Sequence, residues 1–145
     1  MKVITLSSYK GGVGKTTSSI CLSCWLSQHG NTLLIDSDPN RSATGWSRGD
    51  GFPFQICHEN AAPRLMGRER FDFLVIDTPA RPAESDLNEL VEGCDLLLLP
   101  TTPDSLALDA LGLMAHALPK GANYHVLLTI VVPFREGCRK KRERE

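Results

Sequence analysis

Between a short apolar run, Val3-Ile4-Thr5-Leu6, and a stretch without Gly or Pro from Lys15 to about Gln28, the chain carries Lys10-Gly11-Gly12-Val13-Gly14-Lys15-Thr16-Thr17. Glycines at this density let successive backbone N–H groups turn inward around an anion, and the positively polarised start of a following helix adds to that field. A lysine closing such a loop reaches the β/γ-phosphates of a nucleotide, and the hydroxyl after it is placed to ligate Mg²⁺. The pattern therefore predicts strand, phosphate loop and helix, with nucleotide bound by Gly11, Gly12, Val13, Gly14, Lys15, Thr16 and Thr17. The usual spacing, G-x-x-x-x-G-K-[ST], is missed by one position, because Tyr9 stands where the first glycine belongs.

Further apolar runs repeat the theme. Thr32-Leu33-Leu34-Ile35 closes on Asp36 and Phe71-Asp72-Phe73-Leu74-Val75-Ile76 closes on Asp77, while Leu96-Leu97-Leu98-Leu99 and Val126-Leu127-Leu128-Thr129-Ile130 supply two more. Uninterrupted apolar runs, rather than in/out alternation, suit strands buried on both faces of a parallel sheet. Helical patterns near Pro82 to Glu92 and Asp104 to Leu118 complete a β-α-β rhythm and predict an α/β fold, a mostly parallel sheet flanked by helices. In the first helix Ile20, Cys21, Cys24 and Trp25 recur at three- and four-residue spacings, which predicts that they share a buried face. Residues 41–70, with several Gly and Pro and little periodicity, read as irregular or only briefly helical.

At 145 residues with a net charge of -1, the chain is the size of one domain and has no global field to draw it to nucleic acid or an anionic membrane. No stretch approaches the roughly 20 apolar residues that span a bilayer, and Met1-Lys2 leads straight into a strand, so a cytoplasmic location is expected. Five cysteines in apolar surroundings suggest no disulfide framework. Cys21 and Cys24 form a C-x2-C, but without a second Cys/His pair they read as structural core rather than as a metal site, and Cys94 reads as buried.

The lysine before the double glycine resembles the signature of the deviant P-loop ATPases, the group that includes ParA, MinD and the nitrogenase iron protein. Leu33-Leu34-Ile35-Asp36-Ser37-Asp38-Pro39-Asn40 is similar to the ParA strand and first switch, Phe73-Leu74-Val75-Ile76-Asp77-Thr78-Pro79-Ala80 to its Walker B strand and second switch, and the segment from Leu99 to Leu111 to the strand, turn and helix that follow. The resemblance implies that Thr16 and Asp77 hold Mg²⁺ with Asp36 in support, that Asp38 orients the attacking water, and that Lys10 reaches across a nucleotide-sandwiched homodimer to the partner's phosphates. It also implies ATP as substrate, a ParB-like stimulating partner and, in the family, non-specific DNA binding on the nucleoid.

Two departures matter. Asn40-Arg41 follows Asp38-Pro39 where ParA chains commonly have Gln-Gly, so the cargo is not implied. After Pro133 the sequence becomes Phe134-Arg135-Glu136-Gly137-Cys138-Arg139-Lys140-Lys141-Arg142-Glu143-Arg144-Glu145, a charged tail in place of the further strand and helices of ParA-like chains. The expectation is a nucleotide-binding domain over 1–133, shortened relative to the family, and a disordered tail over 134–145. On that expectation, most of the basic DNA-binding residues and the adenine-pocket closure that the resemblance implies would be missing, and the last strand would be an exposed edge. A DNA-partitioning or cargo-positioning ATPase is the leading reading. The alternatives are a nucleotide-binding chain without ATPase activity and another deviant P-loop enzyme such as a MinD-like ATPase, although no C-terminal amphipathic membrane helix is visible.

Overall fold

The computed structural model describes residues 1–40, 42–46 and 51–131. Six parallel strands form one sheet in the order β3-β2-β4-β1-β5-β6: β1 (Lys2–Ser8), β2 (Thr32–Asp36), β3 (Gln55–His58), β4 (Phe73–Ala80), β5 (Leu96–Thr101) and β6 (Tyr124–Leu128). Parallel neighbours need crossovers, and α1 (Lys15–Leu26), α2 (Ser42–Trp46), α3 (Ala62–Met66), α4 (Glu84–Glu92) and α5 (Ser105–Ala117) lie within them. The α/β class and the four strands after β1 expected from apolar runs are present, with shifted ends. β3 corrects the sequence reading, because residues 41–70 contain that strand together with α2, α3 and a 3₁₀ turn (Glu59–Ala61). Gln55-Ile56-Cys57-His58 is too short and too mixed to stand out alone; it is a strand because β2 offers it a ladder, with Ile35 opposite Cys57.

The period-two geometry of β2 sorts its leucines between two cores. Leu34 joins Leu6, Val75, Ile20, Leu26, Ala43 and Phe54 on the α1 side, whereas Leu33 and Ile35 meet Cys57, Ala62, Phe71 and Leu74 on the other. Leu97 and Leu99 of β5 pack on that second side with Leu87, Met114 and Leu118 from α4 and α5. Strand β6 differs from its neighbours. All five of its residues are exposed, with Val126 and Leu128 both at 49%, because no described helix covers it.

The face that α1 buries is a second correction. Lys15, Ser19, Ile20, Ser23 and Leu26 are buried, whereas Cys21 is exposed, Cys24 half-buried and Trp25 56% exposed, where its ring meets His29 edge-on. Small serines let the helix approach the sheet closely, and each hides its hydroxyl on the carbonyl one turn back: Ser19 Oγ lies 3.0 Å from Lys15 O and Ser23 Oγ 2.8 Å from Ser19 O. Cys94 is half-buried rather than enclosed. The predicted tail, 134–145, lies outside the described residues. None of the described helices is long and apolar enough to cross a membrane.

Candidate nucleotide site

Register brings the site together. Across the carboxyl ends of the central strands Asp36 lies opposite Asp77, and Asp77 opposite Leu6, so two carboxylates stand side by side at the root of the loop leaving β1. Asp36 and Asp77 are 0% and 1% exposed. In open α/β sheets this crevice at the carboxyl ends of the strands is where ligands bind.

The loop itself follows from its glycines. Gly12 and Gly14 have φ of 74° and 83°, a backbone region that L side chains rarely occupy, and Gly14 is the N-cap of α1. Tyr9 has no positive φ, which is why a glycine is dispensable there, and its ring packs with the Leu87 cluster on the far side of the sheet. Opposite the loop, β4 carries one residue too many: Leu6 pairs with Asp77 but Ser8 with Ala80. Pro79, which has no N–H for the ladder, sits in this bulge, and the Thr78 hydroxyl donates to Leu6 O at 2.8 Å.

A cleft of about 650 Å³ opens above this edge. Gly11, Gly12, Gly14, Lys15, Thr16 and Thr17 form its floor, Asp38, Asn40, Ser42 and Trp46 one wall, and Thr129 with Ile130 the other. Val13 lies buried beneath the loop. Lys15 is 9% exposed, and burial lowers its pKa against the opposing pull of Asp77 and Asp38. Burial also raises the pKa of Asp77; the nearby Thr16 and Ser19 hydroxyls and the Lys15 ammonium pull it down, and Asp36 pushes it further up. The Ser19 hydroxyl lies 3.1 Å from Asp77 Oδ1, whereas Asp77 Oδ2 is buried with no hydrogen-bond partner.

The two other expected carboxylates are engaged differently. Asp36 Oδ1 accepts from the Asp38 N–H (3.2 Å), and its Oδ2 accepts from the N–H and hydroxyl of Thr44, both at 2.8 Å. Asp36 thus ties the segment after β2 and the helix α2 back to the sheet. Asp38 Oδ1 accepts from the N–H and side-chain amide of Asn40 at 2.9 and 3.0 Å, which aims this carboxylate along the cleft wall. Lys10 projects away from the cleft floor, with Nζ 2.7 Å from Asp104 Oδ1. Asp104 caps α5 by accepting from Ala107 N at 3.0 Å and also accepts from the Thr102 hydroxyl; with Lys10, these contacts hold its pKa well below the carboxylate range.

Three contributors were not legible in the sequence. The Thr129 hydroxyl lies 2.7 Å from Val13 O and 3.0 Å from Thr101 O, so it pins the loop to the ends of β5 and β6. Ser19 reads as one more polar residue of α1, and Trp46 falls in the segment read as irregular. Asp104 did carry a signal, since a Ser/Thr/Asp/Asn residue before a helical pattern is an N-cap candidate.

The comparisons agree with this architecture. Residues 1–60 match a family model described as an AAA domain. The chain is 37% identical over 140 residues to the maintenance of carboxysome distribution protein A of Gloeobacter kilaueensis, covering 91% of this chain and 64% of that protein. It is 27% identical to protein ParA of Rhizobium radiobacter, covering 92% of this chain and 66% of that one. Among solved structures, a plasmid partition protein from Borrelia burgdorferi bound to AMPPNP superposes with a TM-score of 0.69 at 22% identity, covering 92% of this chain and 78% of that one. The chain thus spans somewhat under two-thirds of the length of these curated relatives. Loop signature and curated relatives make this chain similar to ParA-type P-loop proteins, and the parallel sheet has the fold of the solved partition protein.

Proposed function

We propose that the chain binds Mg·ATP in the cleft above Gly11 to Thr17 and hydrolyses it in an ATP-dependent homodimer that positions a DNA or protein cargo. The observation that carries this reading is the pairing of a buried lysine that lines the cleft with a buried, half-satisfied carboxylate close behind it. A buried polar atom without a partner calls for an explanation, and Asp77 Oδ2, on a carboxylate that feels both Lys15 and Thr16, has one if it faces a cation's water shell. Oxygen donors alone, a carboxylate and a hydroxyl, suit Mg²⁺, which keeps several waters and takes the rest of its shell from phosphate. Both oxygens of Asp36 already accept hydrogen bonds from Asp38 and Thr44, so we place it in the scaffold rather than on the metal.

In this reading the backbone N–H groups of Gly11 to Thr17 hold the β-phosphate, and Lys15 spreads charge over the β- and γ-oxygens. Bound Mg²⁺ supplies neutralisation of the phosphate charge. Asp38, on the cleft wall, accepts a hydrogen bond from the attacking water and aligns it with the γ-phosphorus. Lys10 serves the partner chain's phosphates, which requires it to leave Asp104; dimerisation therefore exchanges one anion for another around the same ammonium. The names of the relatives speak of carboxysome distribution and of partition, and cargo positioning is what those names share.

The test is thermal unfolding of the 145-residue chain with and without Mg·ATP, followed by turnover. A ligand that binds only the folded state raises the melting temperature. Lys15→Ala is expected to abolish that rise. Asp38→Ala is expected to keep it and lose hydrolysis. Equal loss of binding in both variants would remove the function given to Asp38, and no rise in the parent chain would remove the whole reading.

A further inference from the structure

Two serines on the buried face of α1 have different surroundings. Ser23 and Ser19 are each 0% exposed, so each hydroxyl needs a partner to offset its lost hydration. Ser23 finds one inside its own helix, the carbonyl of Ser19. Ser19 has a comparable carbonyl, Lys15 O at 3.0 Å, yet its oxygen also lies 3.1 Å from Oδ1 of Asp77, fifty-eight residues away on β4. A hydroxyl has one proton to donate, and an ionised carboxylate is the stronger acceptor. The Thr16 hydroxyl at the mouth of α1 also acts on the Asp77 carboxylate, and Ser19 is the partner that fixes Oδ1 from within the buried face.

The terminal torsion of an aspartate is broad and roughly two-fold, so an unrestrained carboxylate exchanges its two oxygens and swings within its pocket. A donor fixed to one oxygen stops this and leaves the other oriented. We propose that Ser19 is the positioning residue of the magnesium-facing carboxylate: it holds Oδ1 so that Oδ2, buried and unpaired, is presented to the metal's water shell. The inference rests on the reading of Asp77 as the residue that faces the metal. It also accounts for a serine where an apolar side chain would pack against the sheet without a buried hydroxyl to satisfy. Partners that orient a metal-facing group typically change metal affinity 10- to 100-fold when removed.

The experiment is binding, not turnover. ATP affinity is measured in EDTA and at saturating Mg²⁺, and Mg²⁺ is titrated at fixed ATP, for the parent, Ser19→Ala, Ser23→Ala and Asp77→Ala. Ser19→Ala is expected to raise the half-saturating Mg²⁺ concentration about 10-fold or more, with metal-free ATP affinity within about twofold of the parent. Ser23→Ala deletes a hydroxyl equally buried on the same helix and is expected to leave the Mg²⁺ requirement unchanged. If Ser19→Ala does not melt cooperatively, Ser19→Cys keeps the volume with only a weak donor and carries the same expectation. An unchanged requirement in the Ser19 variants alongside a raised one in Asp77→Ala overturns the inference alone, as does an equal rise in Ser23→Ala. An unchanged requirement in Asp77→Ala overturns the parent reading instead.

Discussion

Asp36 separates a scaffold from a metal ligand. Its carboxylate accepts from Asp38 N, Thr44 N and Thr44 Oγ1, at 3.2, 2.8 and 2.8 Å, at a position with no solvent exposure. In Asp36→Ala all three donors lose their acceptor. Hydrogen bonds to a charged group contribute roughly 1.5–3 kcal/mol each, but the donors here are partly exposed and water replaces some of the loss. Relief of the repulsion between Asp36 and Asp77 offsets more of it. A net destabilisation of about 3 kcal/mol results, with α2 and the wall carrying Asp38 loosened first. For 145 residues at about 2.1 cal/mol/K each the unfolding entropy is roughly 0.3 kcal/mol/K, so the nucleotide-free chain melts about 10 °C lower. The assay is calorimetric or circular-dichroism melting in EDTA, with Mg²⁺ titration as the second axis. A melt unchanged in EDTA together with a raised half-saturating Mg²⁺ concentration would refute this reasoning and return Asp36 to the metal.

Thr129→Val keeps the shape of the side chain but removes the hydroxyl that reaches Val13 O and Thr101 O; it is expected to destabilise the fold by about 1–2 kcal/mol and to weaken ATP binding several-fold, and isothermal titration with an unchanged affinity would refute the pin. Asp104→Asn keeps a good N-cap for α5 while removing the ion pair to Lys10. The folded pKa of Asp104 is depressed, so the stability it contributes is complete above the ordinary carboxylate value and is lost as the pH falls through the folded one. The gap between parent and variant in urea unfolding should therefore close on acidification, and a gap constant from neutral to acid pH would refute the ion pair as its source.

The loop and its neighbours were legible because their requirements are local. A chain that turns around an anion needs glycine at the turn, a strand before and a helix after, all here between Lys2 and Leu26, and Gly12 and Gly14 do adopt the left-handed backbone that only glycine takes freely. Asp36 and Asp77 announced themselves as acids at the ends of apolar runs, and a parallel sheet places such ends on one edge. The buried face of α1 was misread for a physical reason. Hydrophobicity ranks Cys21 and Trp25 above serine, but a helix close to a sheet rewards small size, and serine can satisfy its hydroxyl on its own helix. β3 escaped because a four-residue strand draws its identity from β2 beside it rather than from its own composition.

From the sequence alone came the phosphate loop, the parallel α/β class and the carboxylates at the strand ends, since each is fixed by short-range backbone chemistry or by the period of an apolar run. The tertiary structure decided what those residues touch. Asp36 is tied to Thr44, Lys10 is held by Asp104 ninety-four positions on, Thr129 pins Val13 from 116 positions away, and Ser19 meets Asp77. Such pairings depend on which strands become neighbours and in what register, and that is settled by burial of the whole apolar surface at once rather than by any segment of the chain.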